Sequence, residues 1–215
     1  MNHIVAINGS PKAEGSSSGV FIRKIENMMN TEFDVYQALQ LIRQNYVSET
    51  IAKILKADTL LFSFPLYVDS IPAPLIRVLS FLMSEAKNGN GNKPRVFAIC
   101  NCGFYEAEHT RIALEILRNF TLRANLRWGY GIGIGSGGYV ASRMKQLNKG
   151  STSNVNEVLQ ALSQSMQDNS TDSAEDIFIT PKIPKFLYKL GGHIGWYLMA
   201  WKNAVVHSIK ARPHL

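Results

Sequence analysis

One alternation constrains this chain more than any other feature. Five short, continuous apolar runs are separated by longer stretches in which apolar residues recur at helical spacing. The runs are HIVAIN (3–8), FDVY (33–36), TLLFSF (59–64), RVFAICN (95–101) and RWGYGIGI (127–134). Runs of this kind suit strands buried on both faces of a parallel sheet, where no side of the strand meets water. Between them, Phe21, Ile25, Met28 and Met29 fall on one helix face. Ile51, Ile54 and Leu55 line a second helix, for which Ser48 is the expected N-cap. Leu75, Leu79, Leu82 and Met83 define a third, and Ala113, Leu117, Phe120 and Ala124 a fourth. Val155, Val158, Leu159, Leu162 and Met166 line the last. Strand–helix alternation repeated this way implies an α/β fold: a doubly wound, five-stranded parallel sheet.

A chain of 215 residues can bury a full core without staples. The expected organisation is one domain over residues 1–166, a polar linker (QDNSTDSAED, 167–176) and a C-terminal extension with a helix over 177–215. Two cysteines are too few for a disulfide framework and suit a reducing, cytoplasmic setting. The first residues form an apolar strand with no basic flank, which is not the pattern of a secretory signal. The net charge is +7, but no basic run exceeds two residues and no nucleic-acid motif accompanies it, so nucleic acid is not an expected partner. The five histidines show no metal-ligand spacing, and no G-x-S-x-G elbow is present.

In an open α/β sheet, ligands bind in the crevice beyond the carboxyl ends of the strands. Three loops there carry chemistry. The first, INGSPKAEGSSSG (7–19), joins strand one to helix one. Helix N-termini attract anions, Ser10, Ser16, Ser17 and Ser18 add hydroxyl donors, and Lys12 adds a cation. Gly9, Gly15 and Gly19 are placed to let backbone approach a ligand. A P-loop is excluded, because five residues rather than four separate Gly9 from Gly15 and Ser16 stands where Lys is required. The dinucleotide fingerprint is absent from this loop. It does occur at Gly133, Gly135 and Gly138, but at the fifth strand and without its acidic partner, where a glycine-rich strand end is the better reading. What remains for the first loop is a monoester phosphate.

The second loop, FPLYVDSIPAPLIR (64–77), offers Tyr67 as a surface for a flat ring, although a Tyr in such a place often packs on its helix. The third, NCGFYEAEHT (101–110), brings Asn101 and the backbone near Gly103 to the same sheet end. Phosphate donors, a ring platform and an amide-rich edge together describe a flavin mononucleotide (FMN) site.

These motifs resemble the flavodoxin-like NAD(P)H-dependent FMN reductases. INGSPK…SSS is similar to the family's G-S-P-[RK] loop, and PLYVDSIPAPLIR to its P-x-Y-x-x-S-x-P-A motif. The resemblance spans about residues 1–165. It implies strand order 2-1-3-4-5 with FMN at the switch point. It implies Ser10, Ser16, Ser17 and Ser18 near the phosphate, with Lys12 where many members carry Arg. Pro65, Leu66, Tyr67 and Val68 would line the ring, and Asn101, Gly103, Phe104 and Tyr105 its other edge. NADPH or NADH would supply electrons to a small acceptor (a quinone, flavin, azo or nitro compound), and a homodimer would be the assembly. The alternative is a flavodoxin-type electron carrier without turnover. Two cysteines exclude the family's iron–sulfur branch. The aromatic tail FLYKLGGHIGWYLMAW (186–201) is expected to pack on its own domain or a dimer partner rather than on a membrane.

Overall fold

The computed structural model describes residues 2–12, 14–43, 47–88, 92–168 and 174–206. It contains a six-stranded, all-parallel sheet in the order β2-β1-β3-β4-β5-β6. The elements run β1 (Ile4–Asn8), α1 (Ser17–Met29), β2 (Asp34–Gln37), α2 (Ala38–Leu41), α3 (Val47–Ile54), β3 (Thr59–Pro65), α4 (Ala73–Asn88), β4 (Arg95–Asn101), α5 (Arg111–Arg123), β5 (Arg127–Ile134), α6 (Gly137–Ser142), α7 (Ser153–Gln167), β6 (Ile177–Ile179) and α8 (Lys185–Lys202). The apolar runs are the strands, and the order 2-1-3-4-5 stands within the sheet. Ser48 lies one residue inside α3, which starts at Val47, so it is not the cap.

The strands β1, β3, β4 and β5 divide their residues between two cores, because successive side chains leave opposite faces; β2, at the sheet edge, does not, and its Asp34 and Val35 are exposed. Val5, Ile7, Leu60, Phe62, Phe64, Val96 and Ala98 face Leu75, Leu79, Leu82, Leu114 and Leu117. Ile4, Ala6, Leu61, Phe97 and Ile99 face Phe21, Ile25, Leu159, Leu162 and Met166. A covering layer on both sides is what keeps a parallel sheet dry.

The strand count corrects the expected five. Ile177–Ile179 pairs parallel with β5 and forms the second sheet edge. Three half-buried residues are too few to signal a strand alone; neighbours hold them. The Asp176 carboxylate accepts from the Gly131 N–H at 2.7 Å and the Trp128 indole N–H at 3.3 Å. The Ile179 carbonyl accepts from the Gly135 N–H at 3.1 Å. Of the expected linker, residues 169–173 lie outside the described residues. The chain divides into two compact units, residues 1–181 and 182–215.

Candidate functional site

Parallel register brings the ends of β1, β3 and β4 side by side: Asn8 pairs with Ser63, and Pro65 with Asn101. All three strands end on a polar residue or a proline, and the loops that follow carry most of the sequence-predicted residues.

The first loop is organised around Ser16. It is the N-cap of α1, and its hydroxyl oxygen accepts from the Gly19 N–H at 3.1 Å. The same oxygen accepts from the Asn8 side-chain amide at 3.1 Å. The Asn8 side-chain oxygen Oδ1 in turn accepts from the Ser10 N–H at 3.0 Å, and Ser10 Oγ accepts from the Lys12 N–H at 3.2 Å. Lys12 Nζ folds back to donate to the Gly15 carbonyl at 3.3 Å. The loop is therefore shaped by its own buried polar residues. The N–H groups of Ser17 and Ser18, in the first turn of α1, have no partner within the helix. Gly9 answers to packing rather than to ligand approach: a Cβ there would lie 2.6 Å from Leu75 Cδ2 and 2.7 Å from Phe64 Cβ. Replacing Ser16 by alanine removes the cap and strands the Asn8 amide. The expected cost is about 1–2 kcal/mol in urea unfolding, with Ser17→Ala close to neutral.

Asn101 joins the three loops. Its buried side-chain amide donates to Ser18 Oγ at 3.1 Å and to the Phe64 carbonyl at 3.0 Å. Its backbone carbonyl accepts from the Leu66 N–H at 2.8 Å. Ser63 adds a fourth link, donating from Oγ to the Ser18 carbonyl at 3.0 Å.

The second loop is a tight turn. Tyr67 and Ser70 exchange both backbone hydrogen bonds at 3.0 Å, and Val68 and Asp69 between them have φ values of 49° and 56°. Two positive φ values make this a primed turn, which normally selects Asn-Gly. A β-branched valine there is strained, and the residue is 99% exposed. Tyr67 is also exposed, while Pro65 and Leu66 are half-buried. The third loop presents Gly103 and Phe104 to solvent with Tyr105 half-buried. The Phe104 ring lies against His109, with centroids 4.4 Å apart. Beneath them the Cys102 thiol faces the carbonyls of Phe104 and Glu106 at 3.7 and 3.6 Å. Burial pushes the pKa values of Cys102 and Cys100 up, the latter strongly, so both stay thiols at neutral pH.

The structure thus brings Ser10, Ser16, Ser18, Leu66 and Asn101 into one hydrogen-bonded rim. Tyr67, Val68 and Phe104 stand exposed on the loops of that rim. Sequence reading missed Asn8 and Ser63 as supports of this rim. The available signal was a polar residue closing an otherwise apolar strand. Ser136 was missed as well. It is buried with φ 53°, its N–H meets the Phe104 carbonyl, and its hydroxyl has no partner among the described residues. The residues fit an FMN monophosphate and ring: neutral donors and a helix N-terminus suit a phosphate dianion, and exposed aromatic surface suits a flat heterocycle.

The fold is shared with solved flavoproteins and reductases. An azoreductase from Bacillus anthracis is 13% identical, with TM-score 0.53 over 76% of this chain and 99% of that one. An NADPH-quinone reductase from P. pentosaceus is 16% identical, with TM-score 0.54 over 78% of this chain and 98% of that one. General stress protein 14 of Treponema denticola, solved in complex with FMN, is 14% identical, with TM-score 0.52 over 74% and 99%. At these identities the likeness speaks for the fold. No curated protein sequence matches the chain. The family model for NADPH-dependent FMN reductase matches residues 2–127, from the first strand through the third loop and α5. That stretch holds all three loops and more than half of the sequence, and it makes this chain a member of the NADPH-dependent FMN reductase family, an oxidoreductase.

Proposed function

We propose that the chain binds one FMN across its three loops and passes electrons from a nicotinamide nucleotide to a small acceptor. The observation that carries the reading is Asn101, whose amide ties the first and second loops to the third at the sheet's carboxyl edge. FMN, when bound, supplies the electron-transfer chemistry.

The protein's part is to hold and to exclude. The N–H groups of Ser17 and Ser18 and the hydroxyls of Ser10, Ser16 and Ser17 are the donors for the phosphate, and Lys12 contributes positive charge. Pro65, Leu66, Tyr67 and Val68 form one side of the ring site. Asn101, Gly103, Phe104 and Tyr105 form the other. No side chain is assigned an acid–base role. Both NADPH and NADH fit as donors, and quinone, azo, nitro and flavin compounds as acceptors. A homodimer belongs to the same reading.

The test is spectroscopic. Purified protein mixed with FMN should quench flavin fluorescence in a saturable way. Anaerobic NADPH or NADH should then bleach the visible flavin band, and a quinone should restore it. Protein that takes up no FMN overturns the reading. Protein that binds FMN but is not bleached by either nucleotide is an electron carrier instead.

A further inference from the structure

The second unit carries the α8 helix, 18 residues and about 27 Å long. We propose that α8 docks this protein on the surface of an anionic lipid bilayer, lying in the interface rather than crossing it. This goes beyond the flavin reading and does not depend on it. It also departs from the expectation that the tail packs on protein.

Three observations carry the proposal. The first is exposure. Phe186, Leu187, Leu190, Ile194, Trp196, Tyr197, Leu198, Met199 and Trp201 are all exposed, Trp201 at 76%.

The second is their placement. At 100° per residue, Phe186, Leu187, Leu190, Ile194, Tyr197, Leu198 and Trp201 share one arc about 120° wide. The opposite side holds Lys185, Lys189, Lys202, Gly192 and Gly195, with Tyr188, Trp196 and Met199 among them. The apolar arc has a concave patch lined by Leu190, Ile194, Tyr197, Leu198, Trp201 and Val206, with His193 at its edge. An apolar arc rich in Trp and Tyr, backed by lysines, is the composition of a helix that lies in the headgroup region.

The third is charge. Residues 182–215 contain six Lys and Arg (Lys182, Lys185, Lys189, Lys202, Lys210, Arg212) and no Asp or Glu. Residues 1–181 contain 17 basic and 16 acidic residues. Nearly all of the net charge of +7 therefore sits on the unit that exposes the apolar arc. A cationic segment with an apolar face complements a surface that is anionic outside and apolar beneath. Among the described residues no helix is long and apolar enough to cross a membrane, which leaves the surface as the place.

The experiment is vesicle co-sedimentation of the full chain. One set of vesicles contains about 30% phosphatidylglycerol in phosphatidylcholine; the other is phosphatidylcholine alone. The protein should sediment with the anionic vesicles at about 0.1 M salt, and at least about tenfold less with neutral ones. It should be largely released at about 0.5 M salt. Trp201, on the apolar arc, should shift its emission to shorter wavelength, while Trp128, which is buried, and Trp196, on the opposite side, should report no such change. The double variant Ile194→Glu/Leu198→Glu should lose about tenfold in partitioning, with its circular dichroism confirming that it folds. The triple variant Lys185→Gln/Lys189→Gln/Lys202→Gln keeps the apolar arc and should lose the preference for anionic vesicles. Absence of sedimentation with anionic vesicles overturns the proposal, as does equal sedimentation with both sets. So does a dimer in sedimentation velocity that the double variant dissolves without any vesicle uptake by the parent, since the covering surface is then a second copy.

Discussion

Gly135→Ala is expected to destabilise the protein by about 3 kcal/mol or more, lowering the melting temperature by roughly 6–12 °C. Gly135 follows β5 and sits under the third loop. A Cβ there would collide with the Tyr105 carbonyl oxygen, lie 2.8 Å from the Ala107 nitrogen and 3.0 Å from the Glu106 carbonyl carbon. All three are backbone atoms, so no rotamer change relieves the clash. Either the loop lifts, or the strand shifts and loses the Gly135 N–H bond to Ile179 that holds β6. Lifting the loop also displaces Phe104 and Tyr105 from the proposed ring site, so FMN affinity should fall with stability. Gly103→Ala is the matched control. A Cβ at Gly103 meets nothing within 4 Å, and its stability should stay within about 0.5 kcal/mol of the parent. A thermal melt followed by circular dichroism reads both. A shift below about 2 °C for Gly135→Ala would show that the third loop yields freely.

The second large effect is expected at Asn101. Truncation to alanine deletes two buried donors and leaves the Phe64 carbonyl and Ser18 Oγ without them. An orphaned buried acceptor costs about 1–3 kcal/mol, so Asn101→Ala should lose about 2–4 kcal/mol in urea unfolding. It should also weaken FMN binding by about tenfold or more, because the first and third loops lose their link. Asn101→Asp is the more discriminating variant. It keeps size and shape but turns the donor into an acceptor facing the Phe64 carbonyl, and should be no better than alanine. Parental stability and flavin affinity in Asn101→Asp would falsify the claim that this amide holds the loops together.

Much of the architecture was legible because it depends on local pattern. Short apolar runs suit burial between two layers, and strand–helix alternation favours parallel connections, so the five strands β1 to β5 followed; their order 2-1-3-4-5 came from the resemblance to the family. The bounds of Arg95–Asn101 and Arg127–Ile134 match the apolar runs at both ends. The three loops were legible for the same reason: each sits after a strand and so at the ligand end of the sheet. The role of each polar residue within them was less so. Ser16 reads in sequence as one phosphate donor among four. In the structure its hydroxyl oxygen already takes two hydrogen bonds, from Asn8 and Gly19. That follows from residues eight and three positions away meeting at one atom, which spacing does not reveal.

What the sequence by itself determined was the pattern of layers, the positions of the first five strands and the set of loops at the ligand end. These rest on side-chain periodicity and chain connectivity, which are properties of neighbouring residues. Only the tertiary structure decided the sixth strand, the positive φ at Val68 and the joining of three loops through Asn101. Ile177–Ile179 is a strand because Asp176 and Ile179 are held by the backbone of β5 and the residue after it, and Val68 takes its conformation because the turn closes between Tyr67 and Ser70. The physical reason is common to all three. Each is fixed by hydrogen bonds and close contacts that exist only once the chain has folded, several of them between residues tens of positions apart.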